Sequence, residues 1–364
     1  MRFPSMNPCS LAFVAFAFSL AVSACRGAEL IEVASFDNQQ VTGVGVSKKS
    51  GRVFVNFPDW SDDHLLSVAE IVDGKPKAYP NDEWNKPGAA GSHFVCVQSV
   101  VVDDQDNLWI LDPAAPKMKE IEKGGPKLVK VDLNTNEVVQ AIPFGEDVAP
   151  KKSYLNDVRI DTAANIAFIS ESGKGAIIVV DLKTGKARRL LEGHKSTQPE
   201  KDVKLTVDGK GLLDQEKKTP PQIASDGIAL DVKNGYLYYH ALTGHTLYRI
   251  RTSELTDEKL SKADLESKVE SVAQTAPCDG MLEAADGSVY LTDLEGGAVV
   301  HWDAAANKVS PVITDKRLLW PDTLAWGSPG ELYVTASQIQ NMPRFNGGKS
   351  TRTEPYRLWK VTGL

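Results

Sequence analysis

The chain has 364 residues, 42% hydrophobic and 24% charged, with 28 Gly and 20 Pro, which excludes a disordered, collagenous or multi-span membrane protein. Its 41 basic and 48 acidic residues give a net charge of −7. No basic tract is interleaved with aromatics, and diffuse acidity repels phosphate backbones, so nucleic acid is excluded as an expected partner.

Arg2 is followed by an apolar run from Leu11 to Val22, too short to span a bilayer but the length of a secretory signal's hydrophobic region. Residues 1–24 therefore read as a signal peptide and residues 25–364 as the folded chain, secreted or periplasmic. Val22-Ser23-Ala24-Cys25 resembles a bacterial lipobox, which would put a lipid anchor on Cys25; cleavage nearby, for instance after Ala28, is the alternative. Beyond this point only Cys96 and Cys278 remain, too few for a disulfide framework.

Six segments then share one pattern of strand, polar turn and strand. They start at Val41, Gln98, Asn156, Ser225, Cys278 and Pro321. Lys49-Ser50-Gly51, Gln105-Asp106-Asn107, Asn234-Gly235, Asp286-Gly287 and Pro329-Gly330 occupy the turns, where residues that accept positive φ are needed. From Gly43 to Asp322 the mean spacing is about 56 residues, room for four strands per repeat. Third strands follow from His64, Lys127, Ala176, His245, Ala298 and Tyr356. Fourth strands follow near Lys77, Val138, Arg188, Val269 and Val309. The last repeat lacks a fourth strand, and Ile31 to Phe36 is a strand without a repeat. Pairing the two removes an open sheet edge, which predicts an all-β fold: one six-bladed β-propeller domain, its ring closed by the N-terminal strand completing the last blade.

Innermost strands line the central channel of a propeller, and their first residues surround one mouth. These positions hold Thr42-Gly43, Gln98-Ser99, Asn156-Asp157, Ser225-Asp226, Cys278-Asp279 and Pro321-Asp322. Gln98, Asn156, Asp157, Asp226, Asp279 and Asp322 are thus the candidate ligand-binding residues. Crowded carboxylates raise one another's pKa unless a cation neutralises them, so a protonated amine or a metal is expected, and oxygen ligands favour calcium or magnesium. The alternative is structural, with each Asp accepting backbone hydrogen bonds from a turn; it applies most to Asp157 and Asp322. Asp226 and Asp279, each followed by Gly, are the candidate catalytic pair. Cys96 and Cys278 fall on opposite blades and are expected to be free thiols. Most of the tryptophans are expected in packing between blades. Trp60 and Trp84, between Pro58 and Pro87, are candidates for a lid. Two long loops, Lys195 to Gln222 and Gln338 to Pro355, depart from the minimal blade; the first is highly charged, and the second can fold over a channel mouth.

The run WPDTLAWGSPGELYVTASQIQNMPRFNGGKSTRTEPYRLWKV, with LWILD, YLNDVRID, SDGIAL, LYYHALTGHTLYRI, FPDW and YPNDEWN, resembles the major royal jelly protein and Yellow family, particularly its bacterial branch. The resemblance covers nearly all of the chain after residue 24. It implies a secreted six-bladed propeller and a ligand in the central channel, such as a biogenic amine or a catechol-derived molecule, with dopachrome-tautomerase-like isomerisation as the associated activity. A more distant likeness is to gluconolactonase propellers, whose metal is held by a Glu, an Asn and an Asp. It implies a divalent-metal lactonase or esterase with Asn156, Asp226 and Asp279 as ligands. Val41-Thr42-Gly43 stands where the Glu is expected, and Gln98-Ser99 where a further Asn would help.

Overall fold

A computed structural model of the chain describes Met1 and residues 27–62, 64–352 and 355–364. The apolar amino-terminal run and Cys25 lie outside the described residues. Among the described residues, six four-stranded antiparallel sheets form the blades of a propeller. Their innermost strands are Val44–Val46, Ser99–Val102, Leu155–Asp161, Ser225–Asp231, Met281–Glu283 and Pro321–Trp326, and each packs beside the next around the axis, the last against the first. The expected ring closure is present: Glu29–Phe36 pairs antiparallel with Tyr356–Thr362, from Glu29 opposite Thr362 to Phe36 opposite Tyr356.

The blades stack face to face, so a middle strand is covered on both sides and reads as a continuous apolar run. Asn107–Asp112 and Ala176–Ile178 with Val179 and Val180 are buried throughout, whereas the outer strand Glu137–Pro143 alternates between exposed and covered positions. Six hydrophobic clusters fill the six blade interfaces. Burial at about 25 cal/mol per Å2 of apolar surface is what holds blade to blade. A seventh cluster sits over one channel mouth. Cys96 and Cys278 are buried free thiols, as their placement on opposite blades predicts. No helix among the described residues is long and apolar enough to cross a membrane.

Crowding at the axis explains two glycines. A Cβ on Gly227 would strike the carbonyl oxygen of Asp279, and one on Gly280 the carbonyl oxygen of Asp322. Gly after Asp226 and Asp279 therefore admits the inner strand of the next blade. Gly280→Ala is expected to lower unfolding free energy by about 3 kcal/mol or more, because the obstacle is backbone. Gly211→Ala, with nothing within 4 Å of its Cβ, is the neutral control, within about 0.5 kcal/mol. Urea denaturation of both variants checks this.

Candidate functional site

The inner strands enter the channel through irregular pairing. Register shifts lie between Leu155 and Val158, Ser225 and Ile228, and Pro321 and Leu324. Such bulges re-aim side chains. Hydroxyls on the second strands take up the freed N–H groups: Ser170 accepts from Asp157 N at 3.1 Å, Thr292 from Asp279 N at 3.0 Å and Thr335 from Thr323 N at 3.0 Å. Ser170 and Thr335 also donate to the next blade, to the Asp226 and Thr42 carbonyls. Asn156, Asp226 and Asp322 lie within these bulges and Asp279 lies just before its strand, and all four face one cavity.

That cavity, about 530 Å3, is walled by Gln98, Asn156, Asp226, Asp279 and Asp322 at its floor and by Trp60, Met118, Tyr154, Leu242, Trp320, Ile339 and Phe345 above. Five of the six predicted ligand-binding residues meet there. Asp157 does not line it. It faces Arg159 at 3.5 Å instead, one step deeper along the axis, and Asn156 takes its place at the floor. Asp322, to which the structural alternative applied most, lines the cavity as well.

The floor is one hydrogen-bonded chain. Trp60 Nε1 donates to Tyr154 Oη (2.8 Å), which donates to Gln98 Oε1 (2.9 Å). Gln98 Nε2 lies 3.4 Å from Asn156 Oδ1, and Asn156 Nδ2 donates to Asp226 Oδ2 at 2.8 Å. Asp226 and Asp279 share a hydrogen bond, and Trp320 Nε1 donates to Asp279 Oδ2 at 2.6 Å. Trp320 is thus more than packing between blades, as is Trp60 beside it. Trp84 is not a lid residue. It packs on Phe94 between blades one and two, ring centroids 5.0 Å apart.

Burial and the neighbouring carboxyls push Asp226 and Asp322 well above the ordinary carboxyl value. Burial also raises Asp279, but the Trp320 and Asp226 hydrogen bonds favour its charged form and hold it to about 6. One fold therefore gives two neighbouring carboxyls unequal proton affinities, Asp226 the higher and Asp279 the lower. Such divergence is what acid–base chemistry needs.

Residues the sequence reading passed over fix these positions. Asp112 accepts from Val95 N and Cys96 N (2.8 and 3.0 Å), just before Gln98, and is paired with buried Lys127 at 2.9 Å. Glu171 accepts from Tyr154 N at 2.8 Å, just before Asn156, and is paired with Arg189 at 2.8 Å. The signal was there: in these two blades an acid closes the apolar second strand, LWILD and AFISE. Arg159 was also missed. Its guanidinium crosses the channel to the Met281 carbonyl at 2.7 Å and belongs to the wall of a second cavity, about 650 Å3, at the opposite mouth. The two cavities share no wall residue.

The two long loops and Trp60 make the roof. Leu205, Val207 and Leu212 from the first pack with Ile339, Met342 and Phe345 from the second. Arg344 pairs with Asp214 at 2.8 Å, and Gln340 donates to Asp208 at 3.0 Å. The charges of the first loop are thus partly spent on clasping the second.

A metal does not fit this arrangement. Among the described residues no group of three or more His, Cys, Asp or Glu side chains is placed to hold an ion. Asn156 presents its N–H, not its oxygen, to Asp226, and Asp226 and Asp279 are engaged with each other. The expected ligand set of Asn156, Asp226 and Asp279 is satisfied internally, and Thr42 and Gly43 supply no carboxylate where the gluconolactonase likeness requires one.

Fold and site together define a six-bladed propeller with a roofed, polar-floored cavity at one mouth. The chain belongs to the major royal jelly protein family, whose model matches residues 95–354. It is 25% identical over 210 residues to major royal jelly protein 1 of Apis mellifera, covering 54% of this chain and 46% of that one. A Yellow-related salivary protein of Phlebotomus argentipes is 24% identical over 240 residues, covering 59% and 56%. These matches span about half the length of the curated relatives. Among solved structures, a gluconolactonase from Xanthomonas campestris superposes with a TM-score of 0.57 at 12% identity, covering 94% of this chain and 93% of that one. At that identity the likeness is one of fold.

Asp279 makes stability depend on pH. Its folded value lies above the ordinary 3.8, so the fold binds its proton more tightly than the unfolded chain does. The resulting stabilisation is fully present below the ordinary value and is lost as pH rises through about 6, a loss of about 3 kcal/mol. Asp279→Asn keeps an acceptor for Trp320 Nε1. It is expected to be about 1–3 kcal/mol more stable than wild type at pH 8, to lose about half of that advantage by pH 5 and the rest below about pH 4, measured by chemical denaturation at each pH.

Proposed function

We propose that this is a secreted or periplasmic propeller that binds a small catechol-derived or amine-bearing aromatic ligand in the roofed cavity and isomerises it by proton transfer between Asp279 and Asp226. The observation that carries the reading is the coupled, buried Asp226–Asp279 pair at the floor of a cavity with aromatic walls. Family membership and the apolar amino-terminal run support it. The cavity has the size and the mostly apolar wall of a small-molecule site.

Tautomerisation moves a proton from a carbon beside a carbonyl to another atom of the same molecule, so no oxidant or reductant is required. Ionised Asp279 takes the proton, breaking the C–H bond, and its electron pair moves to the carbonyl. Protonated Asp226 delivers a proton to the developing oxyanion or its conjugate carbon. Transfer across the shared hydrogen bond then restores the pair. Trp320 and Asn156 orient the two carboxyls, and Trp60, Phe345 and Ile339 keep water from the ring face.

Asp226→Asn and Asp279→Asn are each expected to reduce dopachrome isomerisation, followed by absorbance, by about 100-fold or more. Wild-type kcat/KM is expected to fall about tenfold per pH unit below about 6, as Asp279 loses its basic form. Unchanged turnover and unchanged catechol binding in both variants would refute the assignment.

A further inference from the structure

The cavity wall has a third band above its carboxyl floor and aromatic middle. Lys119, Lys152 and Lys217 line it where it meets solvent. None of the three has an ion-pair partner among the described residues. Two neighbouring acids are engaged elsewhere, Glu120 with Lys151 at 3.5 Å and Asp214 with Arg344 at 2.8 Å. Each lysine also sits on or beside a non-glycine residue held in the left-handed region. Met118 precedes Lys119 with φ 53°, Lys152 itself has φ 70°, and Lys218 follows Lys217 with φ 57°. Backbone in this region costs of order 1 kcal/mol per residue and concentrates where a ligand is clamped.

The charge balance inside the cavity runs the same way. Asp226, Asp279 and Asp322 lie too close together in too dry a place to ionise as a group, so the floor carries less negative charge than its composition suggests. The mouth carries three ammonium groups that form no ion pair among the described residues. A ligand entering from solvent therefore meets a positive field first, and a simple cation is repelled before it reaches the floor.

We infer that the cavity takes an organic anion: a hydroxylated aromatic molecule whose carboxylate is held at the mouth by Lys119, Lys152 and Lys217 while its ring hydroxyls face Asp226 and Asp279. The inference rests on the proposed reading of the floor and narrows its substrate class. An amine without an anionic group satisfies the floor alone; an aromatic carboxylate satisfies both ends.

Three catechols that share a ring and differ in charge provide the test, by titration calorimetry on the mature chain: 3,4-dihydroxyphenylacetate, an anion; L-DOPA, a zwitterion; and dopamine, a cation. The anion is expected to bind about tenfold more tightly than dopamine at low salt, the effect of two or three exposed charges a few ångströms away, and the ratio is expected to shrink at high salt. In the combined variant Lys119→Gln, Lys152→Gln and Lys217→Gln the ratio is expected to drop below about threefold with Tm unchanged, since all three side chains are exposed. Dopamine binding as tightly as the anion, or a ratio unmoved in the lysine variant, overturns the inference and leaves the floor assignment standing. Binding of none of the three, or equal binding by the Asp226→Asn and Asp279→Asn variants, overturns both.

Discussion

Six strands converging on one axis leave little room, and this crowding governs the rest of the molecule. Where the inner strands meet, Gly227 and Gly280 let neighbouring backbones touch. Regular pairing gives way to bulges, and hydroxyls of Ser170, Thr292 and Thr335 replace the missing ladder bonds. The same convergence brings buried carboxyls from three blades to the floor of one cavity. Repulsion and desolvation raise their affinity for protons, which is the feature on which the proposed acid–base reading rests.

Precision at that site comes from deeper charges. Asp112 with Lys127 and Glu171 with Arg189 are buried ion pairs whose carboxylates also grip the backbone leading into Gln98 and Asn156. A buried pair of this kind adds little net stability but is costly to break from one side. Its value here is geometric: it fixes the loop entering the inner strand, and through that loop the side chain facing the cavity. Arg159 does related work along the axis, separating the two mouths so that each cavity has its own walls and its own electrostatics.

The roof is where this chain departs from a bare propeller. The fold is shared with enzymes of different chemistry, and fold alone does not assign one. What individualises the chain is the pair of long loops closed over the mouth by Arg344 and Asp214, with Trp60 and Phe345 beneath and lysines outside. On the proposed reading, an apolar middle between a carboxyl floor and a lysine rim suits an amphipathic molecule of limited size.

The repeat of strand, turn and strand was enough to determine blade number, strand order and ring closure, because alternating burial and turn chemistry are local and an open sheet edge has one obvious partner. Inner-strand starts were equally legible, so Gln98, Asn156, Asp226, Asp279 and Asp322 could be named together. Side-chain direction within a bulge was not: Asp157 and Asp226 look alike in sequence, yet one faces Arg159 and the other the cavity, since a one-residue change of register reverses the face a side chain presents. Trp320, Tyr154 and the rim lysines reached the site through loops whose course depends on contacts distant in the chain. Proton affinities were decided last, because desolvation and neighbouring charge exist only once the blades have closed.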